Sequence, residues 1–209
     1  MQCSRLTTTA LAVLIALPAV ARAQSSPAPD DSAAAQQLVP RLVNLSSLAT
    51  IMNLGRGSVR IIAVIAPSAP GAEDGLDVLA SVFENIPGKR LRAYVLLTRA
   101  TDADTHVRAL SLAARLRDRR VVYLWDPDGI GASLTAPLTG TPAPPGAGVY
   151  CLYDTDATFG PAAPEPALWM EAGSDPAGPP LEARALEERA AAMVRTVERE
   201  AAKPASGSR

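Results

Sequence analysis

The sequence is short of the side chains that carry most enzyme chemistry. It has one histidine, His106, and two cysteines, Cys3 and Cys151. A lone histidine excludes most metal centres and most imidazole-based acid–base sites, which need several ligands or an oriented base. Aromatic residues make up only 4% of the chain, which argues against a stacking platform for single-stranded nucleic acid or sugars. The 20 basic and 21 acidic residues leave a formal charge of −1, so overall charge gives no case for nucleic acid or anionic lipid. No apolar run reaches the roughly 20 residues that span a bilayer. Apolar side chains are abundant instead, at 48% of 209 residues with 20% charged. That composition suits one domain with a real core rather than a disordered chain.

Residues 1–23 have the three parts of a secretory signal. Arg5 supplies the positive start, residues 10–20 the apolar run, and Ala21-Arg22-Ala23 the small-x-small cleavage site. Cleavage there makes Gln24 the mature N-terminus. Cys3 precedes the apolar run, so it is not a lipidation site. The expected location is therefore outside the cytoplasm, periplasmic or secreted, as a soluble protein. Cys151 is then the single thiol, with no partner for an internal disulfide.

After the signal, residues 24–32 read as a Ser/Pro/Ala linker and residues 33–57 as an N-terminal helical extension. Leu42, Leu45, Leu48, Ile51 and Met52 form its apolar stripe, and Gly55 and Gly57 end it. From residue 58 to 203, apolar runs alternate with amphipathic stretches. Residues 59–66 (VRIIAVIA), 91–98 (LRAYVLLT) and 121–125 (VVYLW) read as strands covered on both faces. Residues 72–86 read as a helix. A second helix is expected behind an Asp102 or Asp104 cap, with Val107, Leu110, Leu112 and Leu116 apolar. A short helical stretch reaches Leu138, a Pro/Gly-rich loop covers 140–148, and strands follow at 149–153 and 167–172. Pro180 opens a long helix to about Ala202, with Leu186, Met193, Val194 and Val197 inward, and residues 204–209 read as a disordered tail. This order specifies an α/β three-layer sandwich with a mixed sheet.

Three stretches give the order a family likeness. A buried strand runs into Ala66-Pro67-Ser68-Ala69-Pro70-Gly71-Ala72-Glu73, residues 121–129 read VVYLWDPDG, and residues 149–156 read VYCLYDTD. Together they resemble the thioredoxin fold, in particular the exported TlpA/ResA-type thiol-disulfide branch. The resemblance implies that the first stretch stands where the family carries Trp-Cys-x-x-Cys. Ala69 and Ala72 then occupy the two cysteine positions, with Pro70 and Gly71 between them. It places the family's cis-proline at Gly148, or at Pro145 if the loop is slipped. Redox exchange needs two thiols three residues apart at a helix N-terminus, and alanine supplies neither.

The other candidate residues have structural readings. Ser68 lies near the helix mouth, but a serine nucleophile needs a base and the one histidine is His106, on another helix. The helix start at 70–73 offers amides to an anion, against which Pro67 and Pro70 remove donors and Glu73 and Asp74 add negative charge. Cys151 reads as a small buried residue, with a reactive or intermolecular thiol as the functional alternative. Asp126/Asp128 and Asp154/Asp156 read as turn residues rather than metal ligands, and residues 154–160 lack the closing Glu of a calcium loop. Asn44-Leu45-Ser46 is a formal glycosylation sequon on an expected helix. Tyr150 and Trp169 would form an apolar patch for a partner if they shared an exposed face.

The reading that follows is an exported, redox-inactive thioredoxin-like protein acting as a binding or scaffold module. No cofactor and no metal site is expected, and the expected partner is a protein rather than nucleic acid. Two alternatives are a single-cysteine activity through Cys151 and an assembly subunit docking through the N-terminal helix. Oligomeric state is left open by the sequence.

Overall fold

Three β-branched runs pair in parallel to make the centre of the sheet. In the computed structural model, which describes residues 39–203 except 43, 141–147, 174, 175 and 177, these are β1 (Val59–Ile65), β2 (Leu91–Thr98) and β3 (Val121–Asp126). Val59 sits opposite Leu91 and Ala93 opposite Val121. Two antiparallel strands, β4 (Gly148–Tyr153) and β5 (Leu168–Ala172), complete a sheet of order β3-β2-β1-β4-β5. The chain divides into two units, Met1–Gln36 and Gln37–Arg209. The expected signal (1–23), linker (24–32), first part of the helical extension (33–38), Pro145 and the tail (204–209) lie outside the described residues.

Alternation along each strand sends side chains to two cores. Ile61, Ala63, Ile65, Val95 and Leu97 face α2 (Ala72–Asn85), α3 (His106–Ala113) and α5 (Ala183–Ala202). Ile62, Val64, Tyr94 and Leu96 face α1 (Leu45–Leu54) and α4 (Ile130–Thr139). Helices thus cover both faces, as the fully buried β1 requires. The result is the expected three-layer α/β/α sandwich with a mixed sheet.

Several local expectations need correction. Within the described part of the expected helical extension, residues 39–42 are not helical and the helix starts at Leu45, where Asn44 caps it by accepting from the Ser47 amide at 2.8 Å. The sequon asparagine is therefore a helix cap. Residues 40–42 lie along β3, with the Leu42 amide donating to the Trp125 carbonyl and the Trp125 amide to the Pro40 carbonyl. The other edge is covered similarly where Glu171 exchanges bonds with Pro179 and Leu181, and short cover segments of this kind block edge-to-edge pairing. Helix α3 is capped by Thr105, not by Asp102 or Asp104. Its inner face is Ala109, Leu112, Ala113 and the following Leu116, while Val107 and Leu110 are exposed. Helix α5 starts at Ala183 rather than Pro180, which is held in the edge bridge.

The Asp126-Pro127-Asp128-Gly129 turn closes β3. Asp126 is fully buried, and its carboxylate accepts from the amides of Ile130 and Gly131, tying off the start of α4. Asp128 pairs with Arg41 at 2.9 Å. Turn and capping chemistry thus account for both aspartates.

Candidate functional site

The stretch between β1 and α2 is built from two consecutive turns. The Ala69 amide donates to the Ala66 carbonyl at 3.0 Å, and the Ala72 amide to the Ala69 carbonyl at 3.1 Å. In the second turn Pro70 occupies position i+1 and Gly71 position i+2. Gly71 has φ 84° and ψ 0°, the values that position takes in a type II turn, where a residue with a Cβ is strained. Proline–glycine chemistry therefore fixes this turn locally. It also fixes where the helix begins: Gly71 is the N-cap and Ala72 the first helical residue. Ala69 thus lies before the helix, whereas a helix beginning at Ala69 would place a thiol there directly on the helix dipole. Pro70 is exposed, Ala69 and Gly71 are half-buried, and Ala72 is buried.

Asp104 braces the turn from the β2–α3 connection. Its carboxylate accepts from the Ser68 amide at 2.6 Å, from the Ala100 and Thr101 amides at 3.1 and 2.8 Å, and from the Thr101 hydroxyl. The Ser68 and Thr101 hydroxyls lie 3.3 Å apart. Arg108 adds a bond from Nε to the Pro67 carbonyl. Burial alone would raise the Asp104 carboxyl, but the donors of Ser68, Thr101 and Ala100 outweigh it and hold it below the usual carboxylate range. Its acceptor sites are occupied, so it serves as a brace and not as a base. The sequence placed Asp104 at a helix end; nothing local signals a bond to a residue 36 positions away.

Because its folded pKa is depressed, Asp104 stabilises the fold above its unfolded value near 3.8. That contribution is lost as the pH falls through the lower folded value. Asp104→Asn should therefore destabilise the protein at pH 7 by about 1–3 kcal/mol, because an amide cannot accept at all four donors. Urea midpoints followed from neutral pH down to pH 3 check this, and the variant should show the shallower acid limb. Identical pH slopes would mean that Asp104 is not the brace.

The remaining candidates are not brought to this turn. Among the described residues Ser68 has no basic partner: His106 uses Nε2 on the Val39 carbonyl at 3.1 Å and lies tilted against Trp125 at 6.0 Å. Cys151 faces the α1/α4 core opposite Ile62, whereas His106 belongs to the helix layer on the other face. A Cys151–His106 pair is therefore excluded. Cys151 is fully buried, and desolvation pushes its thiol up to about 12, even with Tyr153 beside it. A thiol so placed has negligible thiolate at neutral pH. Tyr150 and Trp169 share no exposed face, since Tyr150 is fully buried toward α2 and Trp169 points to the opposite core. The Tyr150 hydroxyl sits where a Cβ on Gly75 would be, 1.9 Å from it, so glycine is what lets α2 approach β4. Helix α1 turns Leu48 and Met52 into its own core and leaves Leu45 and Leu54 exposed.

A groove of about 380 Å³ adjoins the turn, lined by Pro70, Gly71, Asp74, Val78, Glu171 and Leu181 among others. Glu73 and Asp74 already face the positive end of α2, and Glu73 pairs with Arg115, which disfavours an added anion. Among the described residues no cluster of three or more His, Cys, Asp or Glu side chains is placed to hold a metal ion. No helix among them is long and apolar enough to cross a membrane.

No protein-family model and no curated protein matches the sequence significantly. Among solved structures, the chain is similar to a secreted Mycobacterium tuberculosis disulfide oxidoreductase homologous to E. coli DsbE. That alignment has 16% identity over 75% of this chain and 96% of that one, with a TM-score of 0.45. It is also similar to M. tuberculosis DsbF, described in mixed oxidized and reduced forms, at 13% identity over 66% of this chain and 82% of that one, with a TM-score of 0.41.

Proposed function

We propose that this chain is an exported thioredoxin-like protein that binds or scaffolds another protein and carries out no disulfide exchange itself. The observation that carries the reading is the turn Ala69-Pro70-Gly71-Ala72, which stands between the first buried strand and its helix and holds no thiol. The burial of Cys151 on the opposite face supports it, because the one remaining thiol is neither ionised nor reachable. The neighbouring groove, part apolar and part acidic, gives a partner protein a place to dock beside the turn.

The test is turnover of a protein disulfide with glutathione as reductant. The expected rate is the uncatalysed one for the wild-type chain and for Cys151→Ser alike. Native-state alkylation should leave Cys151 unmodified until the protein is unfolded. Turnover that survives Cys151→Ser would refute the reading. Turnover abolished by Cys151→Ser, together with rapid native-state alkylation, would establish the single-thiol alternative instead.

A further inference from the structure

The near-zero overall charge conceals a concentration of cations at one end of the sheet. Three connections meet there: α1–β1, α2–β2 and α3–β3. Arg120 joins the second and third, donating from Nη1 to the Ile86 and Gly88 carbonyls and from Nη2 to the Phe83 carbonyl. Its guanidinium also lies 4.6 Å from the Phe83 ring centroid. Arg90 joins the first and second through a bond from Nη1 to the Gly57 carbonyl, and the Val59 amide donates to the Arg90 carbonyl. The three corners thus form one continuous surface.

Arg56, Lys89, Arg90, Arg92, Arg117 and Arg119 are all exposed on it. Among the described residues none of the six lies within ion-pair distance of a carboxylate. The acid placed among them, Asp118, is taken up by Arg120 at 2.6 Å. The other acids near these corners are Glu84 at the end of α2, Glu187, which accepts from Asn85, and Asp154 and Asp156 in the loop whose Thr155 carbonyl accepts from the Gly57 amide. At the α1 corner Leu54 is 80% exposed, two residues before Arg56.

We infer that this face docks onto an anionic bilayer surface. Cations spread over three corners suit a plane of headgroups better than a single phosphate, and each basic side chain near such a surface adds attraction. A protruding leucine beside them suits the boundary between headgroups and acyl chains, where a nucleic-acid backbone would offer it nothing. Attraction of this kind acts over about a Debye length, roughly 8–10 Å, so the local patch governs it rather than the overall charge.

Sedimentation of the full chain with vesicles tests the inference, comparing phosphatidylglycerol/phosphatidylcholine mixtures with phosphatidylcholine alone at low salt. Residues 1–23, with Arg5 and Arg22 around the apolar run, are common to every variant, so their contribution cancels between the wild-type and substituted chains. Arg117→Glu with Arg119→Glu should lose at least roughly thirtyfold in affinity for the anionic vesicles, about fivefold for each basic side chain removed, with the added carboxylates repelling the surface further. The charge-matched control, Arg41→Glu with Arg99→Glu, alters exposed arginines beyond the C-terminal ends of β3 and β2, at the opposite end of the sheet, and should bind as wild type does. Leu54→Ala should weaken binding to the same vesicles at unchanged charge. Equal loss in both double variants, no preference for phosphatidylglycerol, or capture of polyphosphate without vesicle binding would each overturn the inference.

Discussion

Arg60→Ala should cost about 3–5 kcal/mol of folding stability, the size expected when a fully buried side chain is removed and its polar partners are left unpaired. Arg60 lies inside the apolar run of β1 and has no exposed surface. It donates from Nη1 to the Met52 carbonyl at 3.1 Å, and from Nη2 to the Asp154 and Ala157 carbonyls, both at 2.7 Å. Its guanidinium sits 5.4 Å from the Phe159 ring centroid, and burial lowers its pKa from the usual value. One side chain thus pins the end of α1 and the loop after β4 to the central strand. Removing it leaves the Ala157 carbonyl without its donor, leaves the Met52 and Asp154 carbonyls with only the Gly55 and Ala157 amides, and opens a cavity between α1, the loop after β4 and the sheet. A domain of this size is stable by only about 5–15 kcal/mol, so the loss is a large fraction of the total. Arg60→Lys should fall between wild type and alanine, because an ammonium keeps the charge but not the fork that reaches two separate segments. Urea midpoints for the three proteins provide the measurement. A shift below about 1 kcal/mol for Arg60→Ala would show that these bonds are replaced by water.

Arg60 also marks the limit of what patterning reveals. The run VRIIAVIA identifies a strand buried on both faces, and Val59–Ile65 is that strand. The arginine within it gives no local hint of its acceptors, which lie up to 97 positions away. The Asp126-Pro127-Asp128-Gly129 turn was legible because proline, glycine and a capping carboxylate act on their immediate neighbours. Helix α3 was placed but turned wrongly. Its buried alanines, Ala109 and Ala113, carry little apolar signal, while Val107 and Leu110 carry a strong one and are exposed. The N-terminal stripe misled similarly. Leu42, Leu48 and Met52 share a core, but Leu42 reaches it from an extended segment and the other two from α1.

At the candidate site, the sequence located the strand-to-helix turn and its lack of thiols, both readable from consecutive residues. It missed the Asp104 brace and the Arg108 contact, which the fold creates by bringing the β2–α3 connection against Pro67 and Ser68. The helix expected from Ala72 does begin there. The Pro70-Gly71 pair makes a type II turn, and the helix waits until Ala72. The basic end of the sheet escaped for a different reason. Its members are scattered between residues 56 and 119, and overall charge averages them against acids elsewhere.

The proposed reading takes the turn at residues 69–72 as a scaffold into which two thiols would fit, and the direct test is to put them there. An i-to-i+3 bond joins Ala72 to Ala69, which places their Cα atoms less than about 7 Å apart. A disulfide requires about 4.4–6.8 Å. Ala69→Cys with Ala72→Cys, made in a Cys3→Ser, Cys151→Ser background, should oxidise within the monomer. Because Gly71 rather than residue 69 caps α2, the thiol at 69 should titrate nearer the free-cysteine value of about 8.5 than the strongly lowered values of thiols held directly on a helix N-terminus. The measurement is the number of titratable thiols per monomer after oxidation under native conditions. The account predicts none, with the fold retained. Two free thiols in a folded monomer would contradict it, and the turn would then be an ordinary loop rather than a redox motif without its cysteines.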